Sequence, residues 1–118
     1  MKRILITLSV VLLLSSCYYD KEETLYGSAC DTSAVTYNAS IVPVLASNCI
    51  SCHGGAFPSA GIRLDNYTDV RNYALNGRLY GAIAHSAGFI AMPQGSAQLS
   101  SCTIAKFRIW ITGGAPNN

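Results

Sequence analysis

The 118-residue sequence contains few charged side chains. Lysine, arginine, aspartate and glutamate together make up 12% of it, whereas hydrophobic residues make up 50%. This balance excludes a highly charged disordered chain and a protein that coats nucleic acid. The length allows one small domain. Histidine and methionine are also scarce, at two copies each, which limits the side chains that can serve as metal ligands.

Residues 1–16 have the pattern of an export signal. The dipeptide Lys2-Arg3 precedes an apolar run that is too short to remain a membrane-spanning helix. The run ends in the letters LSSC, which resembles a bacterial lipoprotein signal, where the cysteine, here Cys17, becomes the acylated first residue. The pattern therefore predicts export and a lipid anchor at Cys17 on a bacterial membrane, the outer membrane, facing the periplasm or the cell surface. An ordinary signal peptide with a chance cysteine is the alternative.

The rest of the chain divides into a tether and a domain. Residues 17–36 lack helical periodicity and are predicted to be a flexible tether from the lipid, and residues 37–118 are predicted to form the folded domain. Removing Lys2 and Arg3 from the eight basic residues leaves six, which balance the six acidic ones. A neutral domain without a basic patch is not expected to bind nucleic acid.

The central motif is Cys49-Ile50-Ser51-Cys52-His53, the C-x-x-C-H pattern of covalent haem attachment. On one helical turn, the thiols of Cys49 and Cys52 can form thioethers to the two vinyl groups of a haem. The imidazole of His53 is then placed to bind the iron as the proximal ligand. Covalent attachment of haem takes place outside the cytoplasm, in agreement with the export signal. The motif predicts one covalently bound haem c.

Two other interpretations of these cysteines compete with haem. A thioredoxin-type redox pair requires a βαβ context, and no apolar β-branched strand precedes Cys49. A four-thiolate zinc site from Cys30, Cys49, Cys52 and Cys102 is disfavoured because structural zinc sites usually have two short-spaced pairs. Cys30 and Cys102 form an even pair in an exported protein, which predicts a disulfide between them.

The distal ligand of the iron has two candidates. Met92 lies 39 residues after His53, in a loop where Pro93 and Gly95 favour a tight turn. His85 precedes Met92 by seven residues and remains the alternative ligand. The helix-and-loop context favours Met92.

Hydrophobic periodicity predicts an all-α domain. The predicted helices are residues 41–51 with Ser40 as N-cap, a helix ending near residue 75 with Asn66 or Thr68 as N-cap, residues 78–85, and residues 103–112 with Ser100 as N-cap. Glycine pairs at 54–55 and 113–114 are expected to end the first and last of them.

The order of C-x-x-C-H motif, Met-Pro loop and aromatic terminal helix resembles a mono-haem class I c-type cytochrome. Gly61-Ile62-Arg63-Leu64-Asp65 is similar to a segment of planctomycete-type cytochrome c domains. The resemblance covers residues 37–118 and implies a small class I cytochrome c-like fold, with three to five helices wrapped around one haem c. The first helix lacks the glycine–aromatic pair that many such cytochromes have at its crossing with the last helix. Val44 or Leu45 is therefore expected to pack against Phe107 or Trp110.

These features predict an electron carrier rather than an enzyme. With His53 and Met92 both bound, the iron has no open position, and no carboxylate pair or nucleophilic triad is present for a small-molecule substrate. The expected partner is a redox protein that docks transiently at the haem edge, near Ser51, Ala56 and Gly95. The alternative function is a haem-based ligand sensor or a peroxidase-like protein with an open or labile distal position.

Overall fold

The computed structural model describes residues 30–118. The predicted signal peptide, residues 1–16, and the lipidation site Cys17 lie outside the described residues, as does the tether up to residue 29. The described residues contain helices and no strand, and 52% of them are helical, which confirms the all-α class. Within them, Asp31–Asn118 form one compact unit.

Helical elements follow one another through this unit without any intervening sheet. The described chain contains a π-helical turn Tyr37–Ile41, α1 Val42–Asn48, α2 Ile50–His53, a 3₁₀ turn Ser59–Gly61, α3 Tyr67–Leu75, α4 Arg78–Ile83 and α5 Ser101–Thr112. None of the helices in residues 30–118 is both long enough and apolar enough to cross a membrane.

The first helical segment begins at Tyr37 rather than at Ile41. Thr36 is extended, and its hydroxyl accepts a hydrogen bond from the Ala39 amide at 3.2 Å, so Thr36 is the N-cap. The prediction that Ser40 caps this helix is wrong. The Ser40 hydroxyl lies within the π-helical turn and accepts from the Thr36 amide at 3.3 Å. Together the two hydroxyls satisfy amides that a helix start would otherwise leave free.

The later helices begin where their caps predict. The Asn66 side chain accepts from the Asp69 amide at 3.0 Å at the start of α3, and the Ser100 hydroxyl accepts from the Thr103 amide at 3.1 Å at the start of α5. Helix α4 ends at Ile83 and not at His85, because His85 has a φ of +52°, outside the right-handed helical region.

One buried cluster of mostly apolar side chains forms the core of Asp31–Asn118. Its least exposed members come from every α-helix except α2 and from both ends of the unit. They are Tyr37, Ile41, Leu45, Leu64, Val70, Ala74, Leu79, Ile83, Phe107, Trp110 and Ala115.

The last helix meets the first helical segment through an aromatic stack. The rings of Tyr37 and Trp110 lie 5.4 Å apart between centroids with an interplanar angle of 27°. Leu45 is buried in the same core, whereas Val44 is only half-buried. The ring stacked on Trp110 is therefore Tyr37, a residue that lies before the predicted start of the helix.

Residues 115–118 are hydrogen-bonded to the helical elements near this crossing. The Tyr37 amide donates to Asn118 Oδ1 at 2.8 Å, and the Asn38 amide donates to the Asn118 main-chain oxygen at 2.9 Å. The Tyr67 hydroxyl donates to the Ala115 carbonyl at 2.8 Å. These bonds connect the end of the chain to the beginning of the first helical segment and to α3.

Cys30 and Cys102 form a disulfide-bonded pair, as the sequence predicts. The bond closes a long loop, so its loss increases the conformational entropy of the unfolded chain. We expect the double variant Cys30→Ser/Cys102→Ser to lower the free energy of unfolding by about 2–4 kcal/mol, measured by urea denaturation without reductant. An unfolding midpoint equal to that of the wild type would show that the bond does not contribute to stability.

Candidate functional site

The two cysteines and the histidine of the C-x-x-C-H motif lie on one helical turn. Helix α1 ends at Asn48 and α2 begins at Ile50, but the hydrogen bonds run almost without interruption across Cys49. The Cys49 amide donates to Leu45 O at 2.9 Å, and the His53 amide donates to Cys49 O at 2.8 Å. Residues three and four positions apart share a helix face, so Cys52 and His53 lie beside Cys49.

The two thiols of the motif are free and differ in their surroundings. Cys49 is half-buried beside the core, whereas Cys52 is exposed. Burial raises the pKa of the Cys49 thiol to about 11, so this thiol is protonated at neutral pH. Redox-active cysteine pairs depend on a lowered thiol pKa. The Cys49 environment and the absence of strands in residues 30–118 argue against the thioredoxin-type interpretation.

The structure also argues against a four-thiolate zinc site. Cys30 and Cys102 are bonded to each other, so two of the four sulfurs cannot act as thiolates. Within the described part of the chain, no group of three His, Cys, Asp or Glu side chains converges as a metal site.

The imidazole of His53 is held in one orientation and one tautomer. Its Nδ1 lies 3.2 Å from the carbonyl oxygen of Ile62. A carbonyl oxygen can only accept, so Nδ1 carries the proton and donates. The lone pair of Nε2 is then free to bind a metal. Metal-binding histidines almost always have this arrangement, in which the second ring nitrogen donates to an oxygen of the protein.

The loop after the motif is fixed by the segment that follows it. The Leu64 amide donates to His53 O at 2.7 Å. The Gly55 amide donates to Asp65 Oδ2 at 2.8 Å, and Gly55 O accepts from Arg63 Nη2 at 2.7 Å. Gly55 has a φ of +73°, a conformation that favours glycine.

Asp65 is a source of pH-dependent stability. The hydrogen bond from the Gly55 amide, with a further contribution from the Arg63 guanidinium, holds the pKa of the Asp65 carboxyl below its usual range. A carboxyl with a lowered folded-state pKa stabilises the fold above its unfolded-state pKa, about 4, and this contribution is lost as the pH falls through the folded-state pKa. We expect Asp65→Asn to flatten the acid side of the plot of urea midpoint against pH between about 2 and 5. An unchanged slope would contradict this role.

The candidate distal residues form a second group. The Met92 amide donates to Ala82 O at 3.0 Å, and His85 Nε2 lies 3.0 Å from Met92 O, to which it donates. Met92 is half-buried and His85 is exposed. The ring nitrogen of His85 thus holds the backbone of the Met92 loop, and the Met92 thioether remains free to act as a ligand. No hydrogen bond in residues 30–118 joins this group to the motif turn.

Three residues expected at the haem edge are exposed: Ser51 on the motif turn, Ala56 in the loop that follows it, and Gly95 in the Met92 loop. Sequence reasoning missed Phe57, whose side chain is 98% exposed directly after the motif loop. It also missed the hydrogen bonds that Ile62 and Leu64 make to His53.

Comparison with known proteins identifies no relative. No protein-family model matches the chain, and neither a curated protein nor a solved structure matches it.

Proposed function

We propose that the protein is an exported, lipid-anchored mono-haem c-type cytochrome that transfers single electrons. The observation that carries the proposal is the hydrogen bond from His53 Nδ1 to Ile62 O. His53 lies on the same helical turn as the two free thiols of Cys49 and Cys52. That bond leaves Nε2 as the metal-binding nitrogen, as in protein sites that bind metal through histidine. The all-α fold is compatible with a small class I cytochrome c-like domain.

The residues present fit a covalently bound haem c. Cys49 and Cys52 would hold it through thioether bonds, and His53 would bind the iron through Nε2. When bound, haem c supplies an iron centre that is reversibly oxidised and reduced by one electron. The chain orients the imidazole through Ile62 and limits the access of water at half-buried Cys49.

Met92 is the proposed distal ligand and His85 its supporting residue. A thioether is a soft ligand that favours reduced iron, so it raises the potential relative to two histidines. The bond between His85 Nε2 and Met92 O supports this division of roles, because it gives the His85 ring another function.

The proposed partner is a redox protein that docks transiently. Weak electron-transfer encounters use small interfaces, and the exposed residues Ser51, Ala56, Phe57 and Gly95 are the proposed contacts with the partner. Cys17 would keep the protein at a bacterial membrane through its lipid. The function requires no small-molecule substrate, so the protein is proposed as an electron carrier and not as an enzyme.

The first test is expression of the full chain in an exporting host that matures c-type haem. The expected results are a mass that increases by one haem under denaturing conditions and a low-spin c-type spectrum in the reduced state. Covalent haem that binds CO rapidly in the wild type would instead support the sensor or peroxidase-like function. A protein without covalent haem would overturn the proposal.

Met92→Ala tests the distal ligand. We expect the ferric thioether-to-iron charge-transfer band to disappear, CO binding to become fast, and the potential to fall by roughly 0.1 V, a fraction of the ~0.8 V range set by axial ligands. The control is His85→Gln, which removes the imidazole as a possible iron ligand, keeps the thioether and retains an amide that can donate to Met92 O. A wild type that lacks this band, and in which His85→Gln rather than Met92→Ala makes CO binding fast, would reverse the assignment.

A further inference from the structure

The residues that follow the motif form a clamp made of two pairs of contacts. The main chain of one pair of residues contacts His53: Ile62 O accepts from Nδ1 at 3.2 Å, and the Leu64 amide donates to His53 O at 2.7 Å. The side chains of the alternate pair hold Gly55: Asp65 Oδ2 accepts from its amide at 2.8 Å, and Arg63 Nη2 donates to its carbonyl at 2.7 Å.

An extended conformation explains why the contacts alternate. Ile62 has φ −90° and ψ 115°, and in extended chain successive residues face opposite sides. The main-chain groups of residues 62 and 64 can then face His53 while the side chains of residues 63 and 65 reach Gly55. A shift of the segment relative to Gly55 would move Ile62 O relative to His53 as well.

The ion pair between Arg63 and Asp65 is too weak to account for the stability of the clamp. Arg63 Nε and Asp65 Oδ1 are 3.7 Å apart, and the two side chains remain 42% and 29% exposed. Ion pairs of this kind contribute little to stability. The short hydrogen bonds to Gly55 are the stronger contacts, and they act on the loop directly after His53.

We propose that Arg63 and Asp65 are positioning residues that set the electron-donating strength of His53 through the Ile62 carbonyl. The inference rests on the proposed function, since it concerns the proximal ligand of the haem. Donation from Nδ1 to a carbonyl makes the imidazole a more basic ligand, which stabilises ferric iron. Loosening the clamp weakens that donation, so the reduction potential rises.

The test compares Arg63→Gln and Asp65→Ala in the full chain. Positioning predicts that the potential rises in both variants. A direct effect of charge on the iron predicts opposite signs, because removal of a cation lowers the potential and removal of an anion raises it. The two explanations therefore differ in the sign of the Arg63→Gln shift.

Two further variants isolate the role of the hydrogen bonds. Asp65→Asn removes the charge but keeps an oxygen that can accept from Gly55, so its potential is expected to stay near that of the wild type. Arg71→Gln is the control for loss of an arginine, since Arg71 is exposed on α3 and takes no part in the hydrogen bonds of the clamp; its potential is expected to be unchanged.

Amide hydrogen exchange at Leu64 provides a readout that does not require haem. Its amide donates to His53 O, so we expect exchange at least about tenfold faster in Arg63→Gln and Asp65→Ala than in the wild type. The same rate and potential in the wild type and both variants would overturn the inference while leaving the cytochrome proposal intact. If the wild type carries no haem but the Leu64 amide still exchanges faster in the two variants, the proposed function is overturned and the clamp is retained.

Discussion

The double variant Cys49→Ser/Cys52→Ser is expected to lose covalently attached haem completely. Serine is close to cysteine in size, so the motif turn and the hydrogen bond from the His53 amide to Cys49 O remain possible. The hydroxyl is a much poorer nucleophile than the thiol, and no thioether can form. Mass spectrometry under denaturing conditions is expected to give the mass of the polypeptide alone.

The matched control is Cys30→Ser/Cys102→Ser, which also removes two cysteines. These cysteines are bonded to each other, so their replacement is expected to lower stability and to leave the mass of the haem adduct in place. Each single variant, Cys49→Ser or Cys52→Ser, is expected to retain a one-thioether adduct in reduced yield. Covalent haem in the double variant would place the attachment elsewhere in the chain.

Local sequence signals were sufficient to predict the helical turn of the motif and the starts of two helices. The Asn66 and Ser100 caps are confirmed because a capping side chain acts within three residues of its own position. The shared turn of Cys49, Cys52 and His53 follows from helical spacing in the same way. Such features depend on a few neighbouring residues, so they can be recognised without knowledge of the fold.

The first helix start shows why nearby signals can still mislead. Thr36 and Ser40 are both good capping residues. Pro43 would lie in the first turn of a helix capped by Ser40, where proline is tolerated. With Thr36 as the cap, Pro43 still lies at the start of α1, because the π-helical turn Tyr37–Ile41 comes before it. The structure uses Thr36, which brings Tyr37 into the helical segment and into contact with Trp110. The choice depends on a contact between the two ends of the domain, and helical periodicity does not encode it.

The hydrogen-bond partner of the His53 ring could not be predicted from the sequence for the same reason. Ile62 lies nine residues away, and its carbonyl is available to the ring because residues 53–55 and 62–65 lie side by side. The left-handed conformation of Gly55 and the opposing side chains of Arg63 and Asp65 maintain this pairing. A main-chain acceptor has no residue-type signature, so the sequence indicated the candidate ligand His53 but not the group that orients it.

Trp110→Ala is expected to be the most destabilising single substitution in the core, at about 3–5 kcal/mol. The indole is 2% exposed, stacks on Tyr37, and donates from Nε1 to Pro116 O at 2.8 Å. The substitution leaves a cavity, removes the stack, and strips the Pro116 carbonyl of its donor. Since small domains are stable by only about 5–15 kcal/mol, urea denaturation of the full chain is expected to show a large fall in midpoint with little change in slope.

Two comparisons separate the contributions at this crossing. Ile109→Ala, next to Trp110 but 38% exposed, is expected to cost less than about 1 kcal/mol, and a similar loss in both variants would contradict the central position of Trp110. Trp110→Phe retains an aromatic ring but not the N–H group, so it isolates the bond to Pro116.

Tyr37 begins the helical segment that continues into Cys49. Loss of the stack in Trp110→Ala is therefore also expected to speed amide exchange along α1. Unchanged exchange there would show that the motif turn is held independently of the last helix.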